Sequence, residues 1–175
     1  MATPPTRYQA YCVDHWGYEV SEQEKARLVL PLRFKPAVTL LLVGVALAGG
    51  WPWVLVAVGV TGLLGVAVPR LSWLDQVWNH GVRYLFRAPA LGADPGPRRL
   101  ACGLAELFVL GSGIAFLLGA LVTGWVLASL VLLVAGVVVA TGFCVAAWAY
   151  LVLARRLTER RPASVAIALV LLGAA

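Results

Sequence analysis

Where this chain keeps its charge constrains its fold more than any other feature. All fourteen Lys and Arg residues fall into three stations. The first holds Arg7, Lys25, Arg27, Arg33 and Lys35, the second Arg70, Arg83, Arg87, Arg98 and Arg99, the third Arg155, Arg156, Arg160 and Arg161. Between them lie two long apolar stretches, each interrupted by a Gly/Trp break, at Gly49-Gly50-Trp51-Pro52 and at Thr123-Gly124-Trp125. Short cytoplasmic loops retain Lys and Arg, whereas uncharged turns are free to cross. The sorting predicts an all-α polytopic protein of the bacterial inner membrane: two transmembrane helical hairpins, four spans, both termini cytoplasmic and both breaks outside.

Composition agrees, with 61% hydrophobic and 13% charged residues and a mean hydropathy of +0.87. A soluble domain of this size cannot hide so much apolar surface. The net charge of +6 is accounted for by the three stations. No surplus basic stripe remains, which excludes nucleic acid as a partner. Residues 1–35 are polar, aromatic and charged where a signal peptide needs an apolar core, so the N-terminus is expected in the cytosol.

Five segments follow: an aromatic and charged arm (1–27), a first hairpin (28–69), an interfacial amphipathic helix with a Pro/Gly loop (70–99), a second hairpin (100–154), and a basic then apolar tail (155–175). A span needs roughly twenty helical residues. Leu100 to Val122 meets that length, and Trp125 to Leu153 exceeds it, so the last helix should tilt or project. In the first hairpin Ala37 to Ala48 is short and Trp53 to Val68 only slightly longer. Crossing requires Leu28 to Phe34 to enter the interface while Arg33 and Lys35 snorkel back to water; a re-entrant hairpin is the alternative. Ala163 to Ala175 is too short to cross and is expected to dock, to lie in the interface or to begin a further span.

Small residues recur at helical spacing: Gly111, Ala115 and Gly119; Gly136, Ala140 and Cys144; Gly59, Gly62 and Gly65. In lipid such stripes let backbones approach closely, either within the bundle or against another subunit. From Arg70 to Arg87, Leu71, Leu74, Trp78, Val82 and Leu85 share one face and Gln76, Asn79, His80, Arg83 and Arg87 another. That pattern predicts a helix lying along the cytoplasmic surface, with Ser72 as N-cap and Asp75 three residues on. Ala88 to Pro97 then forms a loop. Tyr8, Tyr11, Trp16 and Tyr18 in the arm, with Trp73 and Trp78, are candidates for docking a partner or the membrane surface.

Groups able to do chemistry are sparse. His15 and His80 both lie outside the predicted spans, which excludes a transmembrane bis-histidine haem. Cys12-Val13-Asp14-His15 has the spacing of half a zinc site but lacks a second ligand pair, so no metal is predicted. His80 is the one candidate for holding a cofactor, against a solvated surface histidine. Glu106 is the single acid inside a span; it either pairs with Arg98 or Arg99 nearby or handles protons. Cys12, Cys102 and Cys144 are expected in the reducing cytoplasmic half, with Cys102 and Cys144 able to sit at similar depth.

Gly50-Trp51-Pro52-Trp53, Pro97-Arg98-Arg99-Leu100-Ala101, and Gly142-Phe143-Cys144 with Trp148 and Tyr150 carry a resemblance. Over roughly Lys25 to Tyr150 the chain resembles an uncharacterised bacterial integral-membrane family, number 4395 among the domains of unknown function. Members typically close with Cys-x-x-Cys in the last helix, and the resemblance therefore implies a thiol or sulfur-transfer role. Here Cys144 stands at the first position and Ala147 at the second. A two-thiol exchange at that motif lacks its resolving partner. The expectation is thus a non-enzymatic accessory subunit of a larger energy-converting membrane complex, respiratory or photosynthetic. It would pack against other subunits and lipid without a cofactor of its own, with lipids, quinones or pigments at subunit interfaces. Two alternatives compete: thiol or sulfur handling by Cys144 with Cys102, and a small transporter or channel gated by Glu106.

Overall fold

The computed structural model describes residues 6–160, and every regular element among them is a helix. Helix α1 (Arg7–His15) starts at a capping box in which the Gln9 N–H donates to Thr6 Oγ1 and the Thr6 N–H to Gln9 Oε1. Ser21 and Glu24 open α2 in the same way, and α2 (Glu22–Ala48) continues for 27 residues through Pro31 and Pro36. The predicted interfacial stretch Leu28 to Phe34 is therefore part of one helix of roughly 40 Å. After the Gly49-Gly50 turn comes α3 (Pro52–Ala67), with Pro52 in the first turn, where its missing N–H costs nothing.

A 3-10 turn (Pro69–Leu71), α4 (Trp73–Val77), a π turn (Trp78–Val82) and α5 (Arg83–Phe86) follow. The chain then forms α6 (Gly96–Leu117), α7 (Leu121–Thr141) and α8 (Val145–Arg160). Among the described residues three helices, α2, α6 and α7, are long and apolar enough to cross a membrane, and about a third or less of each apolar window is buried. The apolar α3 has 16 residues. The predicted tail beyond Arg160 lies outside the described residues.

Several boundaries differ from expectation. The second hairpin turns at Leu118-Gly119-Ala120, and Thr123-Gly124-Trp125 lies in the first turns of α7. Gly119 has φ +78°, a left-handed conformation nearly free only for glycine, so it makes the turn rather than a packing face. The long final helix is two helices, because Gly142 (φ +80°) caps α7 in the same conformation. Helix α6 begins at Gly96, with Pro97 in its first turn, so the preceding loop is shorter than predicted.

The surface segment is broken rather than continuous. Leu74 and Trp78 are buried and Val82 half-buried, while Leu71 and Leu85 are exposed. The middle of its apolar face, Trp78 and Val82, thus packs into the protein's own core, while the two ends of that face stay outside it. The Ser72 side chain makes no capping bond, and the Asp75 carboxylate, the other half of the predicted box, pairs with Lys35 at 2.7 Å. Trp78 Nε1 donates to Pro89 O at 3.1 Å, and Asn79 exchanges two hydrogen bonds with the backbone of Leu91. These bonds tie the segment to the loop before α6.

Helices α3 and α6 make the tightest contact. A Cβ added at Gly59 would lie 2.7 Å from Leu110 N, and one at Gly113 would lie 2.8 Å from Val56 N. The missing side chains let the two backbones touch. Gly111 packs near Leu127, and Ala115 is buried. Of the stripe Gly136, Ala140 and Cys144, Cys144 is buried in the core, whereas a Cβ at Gly136 would meet nothing within 4 Å and Ala140 is exposed. The inward face of α7 is Gly124, Ala128, Val131, Ala135 and Val138. One core cluster (Val43, Ala46, Leu55, Val109, Val131) fills the bundle, and another unites Val13, Trp16, Leu28, Leu32 and Trp78 with Val138, Cys144 and Ala147.

Candidate functional site

At the start of α6 the sequence places Arg98, and the turn before it places Asp94. Arg98 is 1% exposed, and its Nε lies 3.3 Å from Asp94 Oδ1. Lys35, from α2, reaches the other Asp94 oxygen at 2.6 Å and Asp75 of α4 at 2.7 Å. Arg98 Nη1 donates to the Tyr18 hydroxyl at 2.8 Å, and that hydroxyl donates to Asp94 Oδ1 at 3.4 Å. The guanidinium also lies over the rings of Trp16 and Tyr18. Two cations and two carboxylates thus balance, and a charge buried without such a partner would cost several kcal/mol. This clasp joins the arm, α2, α4, the loop and α6.

Burial alone would raise the Asp94 carboxyl, but the Arg98 and Lys35 charges outweigh it and hold the group below its ordinary value. Burial pushes the Tyr18 phenol up to about 12, so the hydroxyl keeps its proton and remains a donor.

Beneath the clasp opens an apolar cavity of about 290 Å³. Trp73, Phe108, Leu130, Val131 and Val134 supply apolar wall; Arg98, Glu106, Cys102 and Cys144 also line it. Glu106 is 7% exposed and lies in the notch left by Gly62, which has no Cβ. The expected pairing of Glu106 with an arginine is not made. Arg98 is engaged by Asp94 and Tyr18, and Arg99 donates to Val66 O and Ala67 O, closing the last carbonyls of α3. Glu106 Oε2 and Arg98 Nη2 are buried without a hydrogen-bond partner.

A second polar contact locks the arm onto the α7–α8 turn. The Cys144 N–H donates to His15 Nε2 at 3.0 Å, Trp16 Nε1 donates to Gly142 O at 3.0 Å, and Cys12 Sγ donates to Thr141 O. Burial lowers the His15 pKa, in keeping with a neutral ring that accepts at Nε2. The half zinc site of the sequence is accordingly spent on backbone contacts.

Among the predicted docking residues, Tyr8 and Tyr11 are about half exposed, and Trp73 is intermediate. Trp16 and Trp78 are buried, at 4% and 1%, and Tyr18 belongs to the clasp. These three are consumed inside the chain, because the arm supplies part of the core rather than a free tether. His80 is exposed, with Nδ1 3.0 Å from Gln76 O, one helical turn away. Lys35, expected to snorkel to water, turns inward to the two aspartates instead. Cys12, Cys102 and Cys144 are free thiols, and Ala147 is fully buried.

Sequence reasoning missed the clasp. Its available signal was that Asp75 and Asp94 are the only acidic residues between Glu24 and Glu106, next to apolar spans where an unpaired carboxylate is expensive.

The profile of the family described as Domain of unknown function (DUF4395) matches residues 30–155. No curated protein and no solved structure matches the chain.

Proposed function

Taking as premise that the chain belongs to the DUF4395 family, a membership that by its description specifies no activity, we propose a non-catalytic accessory role in a larger membrane assembly. Its host is an energy-converting complex of the bacterial inner membrane, respiratory or photosynthetic. Four spans cross, with both termini and the clasp on the cytoplasmic side, where the three basic stations belong. The 16 residues of α3, about 24 Å as a helix, cross with local thinning of the bilayer.

The observation that carries this reading is the outward stripe of α7. Gly136 faces open space and Ala140 is exposed, whereas the small residues of the α3–α6 contact are all used within the chain. A helix face of small residues offers close backbone approach to another subunit. Tyr8 and Tyr11 add exposed aromatic surface beside the arm. Lipids, quinones or pigments at that junction would be held by apolar contact.

Purification from the native membrane in mild detergent should bring down defined subunits, and Gly136→Leu should release them while leaving this chain folded. A lone, colourless monomer from wild type would overturn the reading.

One observation favours a second reading. Cys102 and Cys144 line the same cavity, below the clasp. Thiol or sulfur handling at that pair would show as an exchange activity abolished by Cys144→Ala.

A further inference from the structure

Two residues that line the mostly apolar cavity below the clasp each carry a buried polar atom without a hydrogen-bond partner among the described residues. Arg98 Nη2 is a donor and Glu106 Oε2 a carboxyl oxygen; both residues are more than nine-tenths buried, both line the cavity, and neither atom has a partner. Native interiors rarely leave such atoms unsatisfied, since each costs about 1–3 kcal/mol or more when a charge is involved. The two residues stand eight positions apart on α6, about 12 Å along its axis, so Arg98 sits in the clasp and Glu106 about two turns further along, against Gly62.

We propose that this cavity binds a neutral, hydroxyl-bearing lipophile, whose hydroxyl meets Glu106; where the lipophile carries a second oxygen, that oxygen accepts from Arg98.

The charge pattern selects the head group. Lys35 and Arg98 already carry Asp75 and Asp94, so no free cation remains in the clasp to hold an anionic head, and Glu106 repels one. A cationic head likewise finds Asp75 and Asp94 already taken, and meets the unmatched N–H donor of Arg98. A hydroxyl serves Glu106 in either protonation state, donating to a carboxylate or accepting from a carboxylic acid. The apolar wall accommodates a chain or ring, as in small-molecule sites that combine few polar groups with a largely hydrophobic lining.

The test uses the full chain in nanodiscs and three probes of one chain length: an ω-bromo-undecanol, the matching carboxylate and the matching trimethylammonium. Bromine quenches tryptophan fluorescence, and Trp16 and Trp73 line the cavity. The alcohol should quench saturably at concentrations about ten-fold below either charged probe, the factor expected when one hydrogen bond to a buried group is satisfied. Glu106→Met, which keeps side-chain length and removes both oxygens, should weaken the alcohol about ten-fold. Val134→Phe, which fills the cavity and leaves the clasp intact, should abolish the saturable phase. Equal, non-saturating quenching by all three probes would overturn the proposal, as would a charged probe binding best. Unchanged binding in Val134→Phe would do so even if Glu106→Met failed to fold.

Discussion

Toward one end of α6, Gly113 meets α3 with backbones in contact; toward the other, Arg98 meets α2, α4 and the arm through a ring of charges. Both ends hold helices together, but by opposite devices. The glycine contact works because nothing intervenes and dispersion acts at shortest range. The clasp works because polar side chains bridge the arm, α2, α4 and α6, and because every charge meets its opposite. Close packing is unforgiving of added volume; the clasp is unforgiving of lost charge.

That contrast can be broken by substitution. Removing one partner of the clasp should have the largest effect: Arg98→Ala leaves Asp94 short of a cation and Tyr18 without its donor, and should cost about 3–5 kcal/mol. Unfolding in bicelles would measure it, and a loss below about 1 kcal/mol would mean that water, not Arg98, satisfies Asp94.

Gly59→Leu should cost about 1–3 kcal/mol or more in the same assay, since its Cβ would press on the Leu110 backbone. Gly136→Leu, placed in open space, should stay within about 0.5 kcal/mol of wild type. Equal losses at the two glycines would erase the distinction between inner and outer small-residue faces.

The arm sharpens the comparison from outside the bundle. Trp16→Phe keeps an aromatic ring but loses the indole N–H that donates to Gly142 O and part of the packed volume, and should loosen the arm by about 1 kcal/mol or more, seen as faster proteolysis before Glu22.

Acidification should have the smallest effect, and a signed one. His15 has a lowered folded pKa, so its contribution is fully present above the ordinary value of 6.5 and is lost as the pH falls toward the folded value. Asp94, also lowered, contributes above its ordinary value of 3.8 and is lost only as the pH falls further, through its folded value. Arm protection measured from pH 7.5 downward should therefore fail before the clasp does. Simultaneous failure would contradict the separation of the two contacts.

Much of the helix plan could be read from the chain, because helix length and charge exclusion are properties of contiguous residues. The apolar runs announced α2, α6 and α7. The turn positions were less legible, since several glycines compete for each role: Gly119 and Gly142 take left-handed conformations, while Gly124 stays helical with Phe116 lying against it. Nothing local distinguishes them. The site was hardly legible at all. Trp16 and Tyr18 looked like free aromatic surface because their partners, Gly142 and Arg98, lie 126 and 80 residues away.

What the amino-acid order settled alone was the sorting of charge from apolar helix, a matter of transfer free energy that each residue carries with it. Tertiary structure decided which charges left water to meet one another, and which glycines touched. Those outcomes depend on distances between distant segments, and a buried ion pair or a backbone contact exists only once both sides have arrived.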